Sequence, residues 1–129
     1  MKTILVDAMD TFVIEGRGIY QPLYELLEQY SNRKIVLTMA PDDKMEEWGL
    51  NDLPYEVFTS KLDPKKSEPR FYEAVLKHFK LPANDAICFE HDPEAVESAR
   101  SVGIVSYHYD DDKKDLEGLK RFLDRNLHD

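Results

Sequence analysis

Five short apolar runs, separated by segments whose hydrophobic residues recur every three or four positions, leave few architectures open to this chain. The runs are Thr3 to Val6, Lys34 to Leu37, Tyr55 to Thr59, Ala86 to Phe89 and Ile104 to Tyr107, rich in β-branched or aromatic residues. Strand-length runs alternating with helical ones predict an α/β fold, a parallel sheet with helices on both faces. Pro22 opens a helix with Leu23, Leu26, Leu27 and Tyr30 on one side, because a proline in the first turn loses no hydrogen bond. Pro41 opens a shorter one, with Met45 and Trp48 inward and Gly49 closing it. Pro69 starts a third, with Phe71, Val75 and Phe79 at four-residue spacing, and Pro93 a fourth, with Val96, Ala99 and Val102 inward and Gly103 at its end. The last carries Leu116, Leu119, Leu123 and Leu127. Amphipathic packing accounts for all these stripes, so they are read as core.

A length of 129 residues suits one domain, 1–129, burying roughly two thirds of its unfolded surface. The formal charge of −9, from 26 acidic against 17 basic residues, repels polyanions and argues against nucleic acid or an anionic membrane as partner. The single cysteine, Cys88, lies in an apolar run and reads as a small buried hydrophobe. The start has one base and too short an apolar run for a signal peptide, and nothing approaches about 18 consecutive apolar residues, so a soluble cytoplasmic protein is expected.

In a parallel sheet every strand ends on the same side, so the residues after Val6, Leu37, Thr59, Phe89 and Tyr107 converge on one rim, the usual ligand site of α/β proteins. Asp7, Thr38, Lys61 to Lys66 and Glu90 to Asp92 belong to it. Asp7 stands where the first strand runs out, and a carboxylate there can attack as a nucleophile. Met9 stands where that chemistry would want a second carboxylate.

Asp7-Ala8-Met9-Asp10-Thr11, Thr38, Lys66 and Phe89-Glu90-His91-Asp92-Pro93 occur in the order of the four motifs of the haloacid dehalogenase-like (HAD-like) hydrolase superfamily. The chain resembles that family over essentially its whole length. Lys66-Ser67-Glu68-Pro69-Arg70-Phe71 is similar to its Lys-Pro-X-Pro-X-Ile/Phe stretch, and Phe89 to Val96, with Ala99 and Gly103, to its Phe-Glu-Asp-Ser-Pro-X-Gly-Val stretch. The resemblance implies a three-layer Rossmann-like domain with five strands in the order 5-4-1-2-3 and no separate cap domain, the span from Phe12 to Lys34 leaving room for one helix only. It further implies that Asp7 attacks phosphorus to give an aspartyl phosphate that water releases. Lys66 would balance negative charge, Thr38 would hydrogen-bond a phosphoryl oxygen and Thr11 would steady the loop. The competing readings are a solvated Lys66 beside Lys65, a plain strand-end threonine at Thr38 and a turn carboxylate at Asp7.

The departures bear on activity. The family's acid/base, two positions after the nucleophile, is Met9 here, which cannot exchange a proton. Loss of a positioned acid/base typically removes about 10²–10⁴ in rate, so alkyl phosphates, whose leaving oxygen needs that proton, are expected to be poor substrates. Asp10, one residue on, points elsewhere by side-chain direction. Haloacid dehalogenases, phosphonate hydrolases and P-type ATPases also lack an aspartate at that position, and Asp7 to Phe12 resembles the dehalogenases' Asp-Ala-Tyr-Gly-Thr-Leu. The implied magnesium site is altered too. Asp7 and the Met9 carbonyl match two of its ligands, but the third position is His91, and magnesium prefers hard oxygen. Glu90 or Asp92 could supply an oxygen if the loop shifted, and His91 could favour zinc or manganese. Ala95 occupies a place where many relatives have a second acid. Asp110-Asp111-Asp112 is read as acidic residues favouring the positive end of the last helix, and His78 and His108 stay unassigned.

Two functions of different class follow. One is a weak or specialised phosphatase acting on good leaving groups; the other is a HAD-like pseudoenzyme, a binding or regulatory module for a protein or a small phosphorylated ligand. A response-regulator receiver domain shares the size, but its mechanism wants a lysine after the fifth strand, where this chain has Ser106 to Tyr109. Substrate and oligomeric state are not legible.

Overall fold

A computed structural model describes residues 1–127. Its elements in chain order are β1 (Thr3–Asp7), β2 (Val13–Ile14), β3 (Gly18–Ile19), α1 (Gln21–Leu27), β4 (Lys34–Thr38), α2 (Asp42–Glu47) and β5 (Glu56–Thr59). There follow α3 (Pro69–Phe79), β6 (Ala86–Glu90), α4 (Pro93–Ser101), β7 (Val105–His108) and α5 (Leu116–Leu127). The main sheet is five-stranded and parallel, in the order β5-β4-β1-β6-β7. Counted among the sheet strands alone and read from the other edge, this is the expected 5-4-1-2-3.

Burial explains why the central strands read as continuous apolar runs. Every residue of β1, β4 and β6 is buried, because helices cover both faces of the sheet. The edge strands β5 and β7 are partly exposed. Alternation along the strands divides the core in two. Ile4, Val6, Val36, Ile87 and Phe89 pack with Leu23, Leu26 and Leu27 of α1 and Leu119, Phe122 and Leu123 of α5. Leu5, Ile35, Leu37 and Cys88 pack on the other face with Phe71, Tyr72 and Val75 of α3 and Ala95 and Ala99 of α4. Asp7 continues the Leu5 row and Glu90 the Cys88 row, so both carboxylates fall on the α3 side.

Three details differ from expectation. Phe12 to Lys34 holds a two-stranded hairpin, β2 with β3, as well as the helix. Its two-residue strands are too short to show alternation in sequence. α2 buries none of its residues; Met45 and the following Trp48 lie only partly buried against the core. The start of α5 is capped by Asp115, whose Oδ1 accepts the Gly118 N–H at 3.0 Å, and not by Asp110 to Asp112, which precede it in a turn. Among the described residues no helix is long and apolar enough to cross a membrane.

Candidate functional site

The chain leaves β1 through a tight helical turn, in which the Phe12 N–H donates to the carbonyls of Asp7 and Ala8 and the Val13 N–H to that of Ala8. This turn brings Thr11 back over Asp7, and its hydroxyl donates to Asp7 Oδ2 at 2.7 Å. It also puts Asp10 in the left-handed region at φ 66°, which an aspartate tolerates better than most residues. The Asp10 side chain is thereby exposed, 3.9 Å from His91 Nε2.

Lys66 arrives from the loop after β5. That loop is pinned to the end of β4 by Leu62 N–H donating to the Met39 carbonyl at 2.9 Å and Lys66 N–H to Met39 Sδ at 3.2 Å. Lys66 is buried, not solvated, and its Nζ donates to Asp7 Oδ1 at 2.8 Å and to Glu90 Oε1 at 3.1 Å. The Tyr72 hydroxyl, from α3, donates to Glu90 Oε2 at 2.9 Å. From the turn after β6, His91 meets Asp7 Oδ2 twice, through its backbone N–H at 3.1 Å and through ring Nδ1 at 2.5 Å. Asp7 is therefore both a turn carboxylate satisfying a backbone donor and the centre of a charged cluster.

Burial and charge set the protonation of this cluster. Burial alone would raise the Asp7 carboxyl, but the Lys66 ammonium and the His91 hydrogen bond overcome it and hold Asp7 well below the usual carboxylate range. Burial would likewise lower Lys66, yet Asp7 and Glu90 keep its ammonium charged well beyond neutrality. Glu90 is pushed up to about 8 by burial and by the neighbouring Asp7 charge, against the pull of Lys66. The hydrogen bond to Asp7 raises His91 to about 9, with the charges of Asp7, Asp111 and Asp10 adding to it and partial burial opposing. Near neutral pH, Asp7 is thus the one fully ionised carboxylate of the cluster, facing two cations.

The cluster forms the floor of a cavity of about 300 Å³, with Met9, Thr38, Met39, Trp48 and Leu62 among its walls. Asp7, Met9, Thr38, Lys66, His91 and Asp92 line the cavity, and Thr11 holds Asp7 from behind. The Thr38 hydroxyl accepts the Ala40 N–H at 3.2 Å. Asp92 caps α4, its Oδ1 accepting the Glu94 N–H at 2.9 Å. His108 donates from Nε2 to the His91 carbonyl at 3.0 Å, whereas His78 packs on Phe58 and Phe79 away from the rim. Two participants escaped the sequence reading: Tyr72, and Glu90 as a member of the cluster at rest. The signal for both was the alternation that puts Glu90 on the Cys88 face, opposite α3. A larger, more open hollow of about 530 Å³ beside Asp110, Lys114 and Glu117 has no fully buried polar side chain in its lining.

Solved structures share this architecture at low identity. An HAD family enzyme from Bacteroides thetaiotaomicron, crystallised as an aspartate-to-alanine mutant with magnesium and inorganic phosphate, superposes with a TM-score of 0.68 at 12% identity over 84% of this chain and 93% of its own. The core domain of a protein provisionally assigned as a phosphoglycolate phosphatase, from Streptococcus pneumoniae, gives 0.63 at 16% identity over 96% of each chain. The chain has the HAD-like fold. An uncharacterised protein from Corynebacterium glutamicum gives 0.58 at 19% identity over 94% of this chain and 96% of its own. No protein-family model matches the chain, and no curated protein does.

The magnesium expected from the sequence resemblance can be set against the donors of this site. Magnesium demands near-octahedral oxygen coordination. In this site Asp7 Oδ2 already accepts from three donors, Oδ1 accepts from Lys66, Glu90 is turned inward and Asp92 caps a helix. As arranged, these donors do not fit a divalent ion on Asp7.

Proposed function

We propose that this HAD-fold chain is a binding or regulatory module whose hydrolase centre holds a small phosphorylated molecule without efficient turnover. The observation that carries the reading is the engagement of both Asp7 oxygens, Oδ1 by Lys66 and Oδ2 by Thr11 and His91. Each donor draws charge from the oxygen it meets: the three on Oδ2 leave it no lone pair for phosphorus, and Oδ1, with the Lys66 ammonium on it, keeps one lone pair of reduced nucleophilicity. Met9, on the cavity wall, offers no proton to a leaving oxygen. What the pocket keeps is suited to holding an anion. Lys66 and His91 supply positive charge, and Met9, Met39 and Trp48 offer apolar surface to the rest of the ligand. The phosphate in the Bacteroides enzyme supports an anion as the ligand class.

The test is steady-state turnover of p-nitrophenyl phosphate and acetyl phosphate with magnesium, manganese or zinc, run beside Asp7→Asn. The expected outcome is no release above the variant, with inorganic phosphate raising the melting temperature of the wild type. The second reading, a weak or specialised phosphatase working through an aspartyl phosphate, is favoured by the ionised state of Asp7 on the cavity floor. Metal-dependent release that Asp7→Asn abolishes would establish that reading instead.

A further inference from the structure

We propose that the His91 ring stands on Asp7 where a divalent cation would sit, so that the pocket takes its anion without metal. The inference deepens the anion-binding reading above and rests on it for the ligand, but its metal arm is independent. A carboxylate oxygen has two lone pairs, and Asp7 Oδ2 meets three donors: the Thr11 hydroxyl at 2.7 Å, the His91 N–H at 3.1 Å and His91 Nδ1 at 2.5 Å. The ring bridges the two acidic side chains of the β1 turn, with Nδ1 on Asp7 and Nε2 3.9 Å from Asp10 Oδ2. It thus fills the space in which an ion shared by that turn would lie. Its place is held from both sides, by its own N–H on Asp7 and by the His108 ring on its carbonyl at 3.0 Å. Neighbouring carboxylates are no easier to recruit. Moving Glu90 outward would strip Tyr72 and Lys66 of a partner, and moving Asp92 would uncap α4.

The experiment titrates Mn²⁺ into wild type, Asp7→Asn, His91→Asp and the double variant, reading free Mn²⁺ by paramagnetic resonance, and titrates inorganic phosphate into the wild type with and without EDTA. The expected result is that wild type and Asp7→Asn bind Mn²⁺ alike, while His91→Asp gains one site at least about tenfold tighter than any in the wild type, which the double variant loses. EDTA leaves wild-type phosphate binding unchanged. The proposal is overturned by a wild-type Mn²⁺ site that Asp7→Asn removes, by a folded His91→Asp that gains no site, or by phosphate binding that EDTA abolishes. If His91→Asp does not fold, His91→Asn, whose amide oxygen can also ligate, is read by the same criteria. Failure of the binding reading is separately visible. Metal-free turnover that requires Asp7, or a wild type that binds no phosphate, would sink that reading and leave the Mn²⁺ comparison to decide this one.

Discussion

Asp7, Lys66 and Glu90 share a volume from which water is almost wholly excluded, with relative exposures of 2%, 7% and 0%. Such a cluster is tolerable only while its charges are matched, because an uncompensated buried charge is far costlier than the pair is favourable. Replacing Lys66 with methionine keeps the volume and removes the buried cation, leaving Asp7 with only the half-buried His91 as a charged partner and Glu90 without its Nζ hydrogen bond. The expected cost is about 3–5 kcal/mol, read as a loss of urea stability at neutral pH. The same cluster sets a pH dependence. His91 is raised from 6.5 to about 9, so its contribution is complete below the lower value and lost as pH rises through the upper one. Glu90 is raised from 4.5 to about 8, so the folded state keeps a proton that the unfolded chain has released, and stability again falls as pH rises across that window. Asp7 is lowered from 3.8 and acts in the opposite sense, its contribution being lost as pH falls below the usual carboxylate range. Urea midpoints are therefore expected to decline from mildly acidic to alkaline pH. His91→Gln should remove the part of the decline between 6.5 and about 9 that belongs to the imidazole. A flat profile in the wild type would show that these groups titrate as they do in the unfolded chain.

At the scale of elements, the prolines and glycines marked boundaries well because each is a backbone constraint that acts locally. Pro22, Pro69 and Pro93 lie in the first turns of α1, α3 and α4, and Gly49 and Gly103, at φ of 71° and 92°, follow the ends of α2 and α4 in the left-handed conformation. The β2 and β3 hairpin went unread because two residues carry no period. Gly118 is the exception among the glycines, lying inside α5 with a negative φ, where a helix would ordinarily gain from alanine. A Cβ there would stand 2.1 Å from the Tyr107 hydroxyl and 2.4 Å from Asp115 Oδ2, between two groups joined by a hydrogen bond of 2.5 Å. Gly118→Ala is therefore expected to destabilise by about 1–3 kcal/mol, overpacking outweighing helix propensity. Equal or greater stability in urea would mean that Tyr107 moves aside at no cost.

For the molecule as a whole, the charge of −9 matters more than any single surface ion pair. Exposed pairs such as Arg33 with Glu56 and Lys44 with Glu47 are local, whereas the surplus of acid repels itself over the whole surface. Screening relieves that repulsion within a Debye length of about 10 Å at 0.1 M salt. The melting temperature is accordingly expected to rise between low and moderate sodium chloride, and calorimetry across that range checks it. A fall would mean that attractive pairs dominate.

The order of apolar runs and helical stripes was enough to specify a parallel α/β sheet, its rim and the membership of Asp7, Thr38, Lys66 and His91 in that rim. These follow from periodicity, which is local, and from the rule that parallel strands end on one side. The partners within the rim could not be read in this way. Lys66 is 59 positions from Asp7 and His91 is 84, and only packing decides that one takes Oδ1 and the other Oδ2. Nor could the sequence show that Lys66 is dry and Glu90 part of the cluster, because burial of a charged side chain depends on what the rest of the chain puts over it. The residue types were local information, while their protonation and the pairing of both Asp7 oxygens were decided by the tertiary structure, through distance and the loss of water.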